Sequence, residues 1–320
     1  MKLKDLYSRA VEFGIENDLR GRAEIDKVLA DEKAKYDKLE PDEREFFDKD
    51  RLFNPFSDTR VLVGDPETVV KTVIIGIDMD VGEILLTYLL NKDRGRKIDL
   101  IIGHHPAGYA LSRMFDVMKL QADLMNVYGI TVSVAEKLME KRIGEIERRL
   151  MPINHNRAVD VARLLGLPMM CIHTAADNCV THYLTKLFDE AKPDRLKDLL
   201  KLLRDIPEYK RAGLLQLPPK IVSGSDESRC GKIFVDMTGG TEGAKEVFEK
   251  FAVSGVSTLV GMHISEDHLE NAKKANLNIV IAGHIASDTL GLNLLLDGVE
   301  KKGKLDFVSV SGFERIRRGA

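Results

Sequence analysis

From about residue 58 onward, short apolar runs alternate with amphipathic stretches. Positions 61–63 and 73–77 are Val- and Ile-rich runs of strand length, 81–92 carries Ile84, Leu85, Tyr88 and Leu89 at helical spacing, and 100–103, after Asp99, is apolar or small again. Strand, helix and strand in this order make a βαβ unit, which predicts a parallel sheet with helices on its faces. The pattern continues with helices over 113–129 and 136–150 on either side of a strand at 131–135, a helix over 158–165 and a strand over 169–172. After Cys230 it predicts strands at 233–235, 258–260, 279–282 and 307–310, and helices over 243–252, 266–275 and 285–296. Residues 1–50 differ: Leu6, Ala10 and Phe13, then Ile25, Val28 and Leu29, recur at helical spacing in a charged background without a histidine or a glycine-rich turn. They predict an accessory helical arm that covers a surface or makes a subunit contact. A Leu/Lys helix over 195–204 and turns around Pro207, Pro218, Pro219 and Gly224 read as a connector. The predicted class is α/β, with two α/β lobes facing a central cleft and an N-terminal helical extension. The boundaries are 1–57 for the extension, 58–190 for the first lobe, 191–228 for the connector and 229–320 for the second lobe.

A chain of 320 residues with 44% hydrophobic content fills the cores of such lobes. Its net charge of −3 gives no strong attraction to nucleic acid or to an anionic membrane. Cys171, Cys179 and Cys230 have no Cys-x-x-Cys spacing, so neither a disulfide framework nor a zinc knuckle is indicated, and a reducing cytoplasm is expected. The first residues lack an apolar signal core and no apolar run reaches the length of a membrane span, which predicts a soluble protein.

The chemistry collects at strand ends. The run Leu100, Ile101, Ile102 and Gly103 stops at His104 and His105; two others stop at His173 and His284, each opening a His-x-x-x-Asp that includes Asp177 or Asp288. In open α/β sheets ligands bind at the carboxyl ends of the strands, and on a following helix positions i and i+4 share a face. Adjacent histidines on an extended segment point apart, so a backbone twist at the strand end would let each serve a different ion. This predicts a two-metal site. The available ligands His104, His105, His173, Asp177, His284 and Asp288 form a nitrogen and oxygen set suited to Zn, Fe or Mn. His155 and His263 are candidate proton carriers beside the centre, whereas His182 and His268 lie in helical patterns and read as surface residues. Cys171 is expected to be a buried, inert thiol. The stretch 239–243, Gly-Gly-Thr-Glu-Gly, lies between a strand and a helix where free N–H groups can hold a phosphate, but it lacks the ending of a nucleotide P-loop. No Gly-x-Ser-x-Gly elbow is present.

These motifs, in this order, resemble the proteins related to the Ngg-interacting factor three of yeast, a family often labelled type 2 GTP cyclohydrolase I. The resemblance runs from about Asp58 to Asp288 through Val63, Gly64, Asp65 and Pro66, the double histidine before Pro106, His173 to Asp177, and Ala282 to Asp288. It implies a dinuclear centre between the lobes held by His104, His105, Asp177, His284 and Asp288, with His173 beside it, a nucleotide or related heterocycle as substrate, and a homo-oligomer, in the family often a hexameric ring. Three features depart from the family: Asp288 stands where Glu is usual, residues are added between His105 and His173, and the arm before Asp58 is extra. The reading is a metal-dependent hydrolase in which two ions activate a water, Asp177 bridges them, and His173 or His263 moves the proton. The alternatives are a metal carrier for iron or zinc and a regulatory protein-interaction module.

Overall fold

The computed structural model describes residues 1–93 and 97–318. Two helices, α1 (Leu3–Glu16) and α2 (Arg22–Lys38), open the chain. Then come β1 (Arg60–Val63), β2 (Thr72–Gly76), α3 (Val81–Asp93) and β3 (Leu100–Gly103). The stretch after the double histidine forms α4 (Gly108–Ser112), α5 (Lys119–Val127) and α6 (Val132–Leu150), followed by α7 (Arg157–Leu164), β4 (Met169–Cys171) and α8 (Thr174–Ala191). The remainder is α9 (Leu196–Asp205), α10 (Pro207–Leu214), β5 (Lys220–Ser223), β6 (Lys232–Asp236), α11 (Val247–Val253), β7 (Val256–Gly261), α12 (Glu266–Lys274), β8 (Asn278–Ile281), α13 (His284–Glu300) and β9 (Asp306–Ser309).

The two expected α/β lobes are present as two mixed sheets, ordered β1-β4-β3-β2-β9 and β5-β8-β7-β6. In each, a leading strand runs antiparallel to its neighbour with a shift in register, at Val61/Val63 and at Ile221/Ser223, and the other pairings are parallel. The second sheet thus repeats the first four strands of the other. Registers are flush at the functional rim: Gly76 pairs with Gly103 and Gly103 with Cys171, and Asp236 pairs with Gly261 and Gly261 with Ile281.

Between the sheets lie α8 and α13. Gly291 permits their contact, since a Cβ there would meet the carbonyl oxygen of Ala176 at 2.5 Å. One side of this pair packs with Val73, Ile75, Leu100, Ile102 and Met170 of the first sheet, and the other with Val235, Val260 and Val280 of the second. Helix α1 joins the same layer. Its Leu3, Leu6, Ala10, Val11 and Ile15 are buried against α8 and α13, and Gly14 leaves no room for a Cβ, which would lie 2.7 Å from Ala175 Cβ. Only α2, with Ile25 and Glu32 as its buried residues, has the character of a covering arm.

Three expectations change. Residues 131–135 are not a strand: Ala135, Met139, Ile146 and Leu150 recur along α6 and bury in one cluster with Phe234, Leu259 and Ile279, and this packing outweighs the β preference of Thr131, Val132 and Val134. The connector contains β5, which belongs to the second sheet, while β9 leaves the second lobe and pairs in parallel with β2 at the edge of the first. The helix expected over 243–252 begins only at Val247. The residues added between His105 and His173 have a place of their own: α5 and α6 cross over and cover the outer face of the second sheet.

Candidate metal centre

The flush strand ends put Asp78, the double histidine and His173 on one rim, and Asp236, His263 and His284 on the facing one. The twist needed to aim neighbouring histidines differently is fixed by the backbone: His104 N donates to Gly76 O at 3.0 Å and His105 N to Ile77 O at 3.0 Å. As a result the His104 ring faces His173, centroids 4.9 Å apart, and the His105 ring faces His284, centroids 5.3 Å apart.

The three first-lobe histidines of the cluster each have Nδ1 occupied. His104 Nδ1–H donates to Ile172 O (2.9 Å), His105 Nδ1 pairs with Asp78 Oδ1 (2.7 Å) and His173 Nδ1 with Asp58 Oδ2 (2.8 Å). The Asp58 carboxylate is itself held by Thr174, whose Oγ1 donates at 2.6 Å and whose N donates at 3.3 Å. Each ring therefore has Nε2 left for the cleft, the arrangement by which outer carboxylates and carbonyls orient metal-binding imidazoles.

What those nitrogens meet is a cluster of acceptors. His104 Nε2 lies 3.3 Å from Asp177 Oδ1 and 3.5 Å from Asp288 Oδ1, and Asp288 Oδ2 lies 3.4 Å from His105 Nε2 and 3.6 Å from His284 Nε2. His104 Nε2, Asp177 Oδ1 and both Asp288 oxygens are buried without a hydrogen-bond partner. Such atoms are costly unless a cation neutralises them. Three overlapping groups have their ligand atoms within 4.8 Å of one another: His104, His105 and His173; His105, His284 and Asp288; His104, Asp177 and Asp288. The residues thus fit a metal, and all six candidate ligands are brought together.

Protonation answers the same misfit when no metal is bound. Burial, the largest influence on His104, would lower its pKa, yet Asp288 and Asp177 raise it well above the usual value. Burial would likewise raise the Asp288 carboxyl, but His104, His105 and His284 hold it far below the carboxylate range. His284, where burial prevails, is lowered.

A cavity of about 280 Å³ opens on the cluster. His263 stands on its second-lobe wall, its ring centroid 5.0 Å from that of His284 and its Nδ1 3.5 Å from Glu242 Oε1. Glu242 also accepts the Ser265 N–H at 2.7 Å; burial would raise its carboxyl, but His263 and Ser265 bring it down to about 2. Asp236, exposed at the end of β6, opens on the same cavity. The loop 239–243 is pinned from α5, with Gln121 Nε2 donating to Gly239 O (2.8 Å) and Thr241 O (2.6 Å).

Other sequence candidates fall away from the centre. His155 Nδ1 donates to Ile153 O outside the cavity, and His182 is half-buried along α8. His268 is buried rather than on the surface, tied to Ser265 Oγ at 2.7 Å and Gly243 O at 3.0 Å. Cys171 is buried with its thiol pushed up to about 12, the inert residue expected. Sequence reasoning missed Asp58, Asp78, Glu242 and Asp236 as parts of the site. For Asp78 and Asp236 a signal existed, since both sit at strand ends on the histidine rims. Asp58 gave none: it precedes β1, and only the antiparallel pairing of β1 with β4 brings the start of one strand to the end of the other.

Asp58→Asn removes the negative charge behind His173 and turns one of the two acceptor oxygens into an amide donor, while leaving the size of the side chain. Metal affinity measured by competition with a chromophoric chelator is expected to fall roughly 10–100-fold, and unchanged affinity would place His173 outside the coordinating set.

No protein-family model and no curated protein matches the chain. Among solved structures, a NIF3 superfamily protein from Sphaerobacter thermophilus is 28% identical, with 80% of this chain and 92% of that chain covered and a TM-score of 0.71. Reduced HcgD from Methanocaldococcus jannaschii is 12% identical over 78% of this chain and 87% of its own, TM-score 0.47. A Bacillus cereus protein related to NIF3 is 11% identical over 79% and 91%, TM-score 0.40.

Proposed function

Because the chain belongs to the NIF3 superfamily, we propose that it is a metal-dependent hydrolase built round two divalent transition metal ions. The observation that carries this reading is the set of buried, unpartnered acceptors at His104, Asp177 and Asp288. His104, His173 and Asp177 would hold one ion and His105 and His284 the other, with Asp288 available to either, since its two oxygens face different histidines. On this reading Asp288, rather than Asp177 as the sequence suggested, would stand between the two positions. Zn, Fe and Mn all suit this nitrogen and oxygen set. Such a pair, when bound, supplies an activated water and a Lewis acid. The chain's own residues do the rest. Asp58 and Asp78 orient imidazoles, and His263, backed by Glu242, faces the cavity as the proton carrier.

A cavity opening on the centre favours turnover over simple metal storage. The apolar outer face of α3, where Leu85, Leu86 and Leu89 are exposed, supports a homo-oligomer. The free, buried Cys171, Cys179 and Cys230 suit a reducing cytoplasm, and no helix among the described residues is long and apolar enough to cross a membrane.

The test is a panel of linear amides, cyclic amides and phosphate esters, offered to protein reconstituted with Zn, Fe or Mn. Hydrolysis of one class is expected, abolished by chelator and lowered roughly 10²–10⁴-fold in His263→Asn at unchanged metal content. Full metal occupancy without turnover of any class would instead establish the carrier reading.

A further inference from the structure

We infer that the cavity takes a small, unphosphorylated molecule whose cationic nitrogen group, an ammonium or amidinium, faces Asp236 and Glu242 while its reacting end faces the metal centre. The placement of the reacting end rests on the hydrolase reading; the placement of the cation does not.

The cavity is marked as a ligand site by Asp288, fully buried, aimed into it and with both oxygens unpartnered. Its volume, about 280 Å³, is at the small end for ligand pockets, which start at roughly 300 Å³. Across from the metal ligands stand Asp236 and Glu242. Among the described residues no hydrogen bond or ion pair reaches the Asp236 carboxylate, and no Lys or Arg lines the cavity. Of the nearby basic groups, Arg142 Nε donates to Glu242 O at 3.0 Å, Lys245 pairs with Asp267 at 3.2 Å and His263 lies 3.5 Å from Glu242 Oε1, so Asp236 is the acid left without a partner.

Charge decides between substrate classes. Asp177, Asp288, Asp236 and Glu242 all line the cavity, so two divalent ions balance the carboxylates and leave no surplus for a polyphosphate. Phosphates beyond the one nearest the ions would lie against Asp236 and Glu242, where like charges repel. Nor does the loop 239–243 offset this, because the helix behind it starts only at Val247 and lends the loop no positive end. A cationic nitrogen, by contrast, gives Asp236 the charge-assisted partner it lacks. Leu111, Met114 and Met262 supply an apolar, adaptable side for the body of the molecule.

The test uses benzamidine, its uncharged isostere benzamide, and phenyl phosphate, each titrated by calorimetry into the metal-loaded protein and into Asp236→Asn. Benzamidine is expected to bind at least about tenfold more tightly than benzamide and more tightly than phenyl phosphate, and to lose that advantage in Asp236→Asn. Equal binding of benzamidine and benzamide, a preference for phenyl phosphate, or an Asp236→Asn variant that keeps the preference would each overturn the inference. The benzamidine-to-benzamide ratio in the parent needs no variant to fold. Metal content measured on the same samples separates the two readings: protein without metal sinks the hydrolase, while the ratio, repeated on metal-free protein, still tests the acidic wall.

Discussion

Asp288→Ala is expected to leave the protein with almost no bound metal, while His284→Ala retains about one equivalent and the parent about two. The difference follows from where each side chain reaches. Asp288 Oδ1 lies 3.5 Å from His104 Nε2 and its Oδ2 lies 3.4 Å from His105 Nε2, so its removal strips a ligand from both positions. His284 approaches Oδ2 alone, at 3.6 Å, and belongs to one of the three candidate groups. Asp288 is also fully buried, and Ala in its place removes the one carboxylate that approaches both His104 Nε2 and His105 Nε2. Elemental analysis of protein purified without added metal reads the outcome, with far-ultraviolet circular dichroism to show that the variants fold. If Asp288→Ala kept one equivalent and Asp177→Ala kept none, the bridge would be Asp177. The short side chain at 288 suffices for this, because Asp reaches both histidines without the extra methylene of a glutamate.

The histidines were legible because strand-length apolar runs announce where strands end, and sheet rims are where side chains meet. His104, His173 and His284 are far apart in sequence and within one cluster in space for that reason alone. The supporting acids were harder to read, since a partner such as Asp58 is set by which strand lies antiparallel to which, and periodicity carries no such information. The same gap hid β5 in the connector and sent β9 to the wrong lobe: a strand of four residues looks alike whichever sheet accepts its edge. His268 misled for another reason. Its helix has a polar character overall, and only the docking of α12 under the loop 239–243 turns that one position inward, where it bonds Ser265 and Gly243. The α5 and α6 segment shows the largest effect of tertiary context, since helical periodicity does not say that its apolar face covers the sheet of the other lobe.

Deleting residues 1–16 is expected to abolish folding, giving insoluble or protease-sensitive protein, although the segment looks from sequence like an accessory arm. The buried positions of α1 are not on an outer face. Leu3 and Leu6 are wholly buried and Val11 and Ile15 nearly so, in the cluster that also contains Ile75, Ile102, Ala175 and Leu295. Full burial of each such side chain stabilises by roughly 1.5–3 kcal/mol, so the four together contribute about 6–12 kcal/mol, comparable with the entire stability of a typical domain, about 5–15 kcal/mol. Their loss also bares α8 and α13, the pair that carries Asp177 and Asp288, so metal binding is expected to disappear with the fold. Leu6→Ala provides a graded version, lowering unfolding stability by about 2–5 kcal/mol as read from the urea midpoint, with metal content unchanged at low denaturant. A soluble, metal-binding protein lacking 1–16 would return α1 to the role of an arm. It would also mean that the α8 and α13 layer holds together through its own contact at Gly291, with α1 resting on a core already complete.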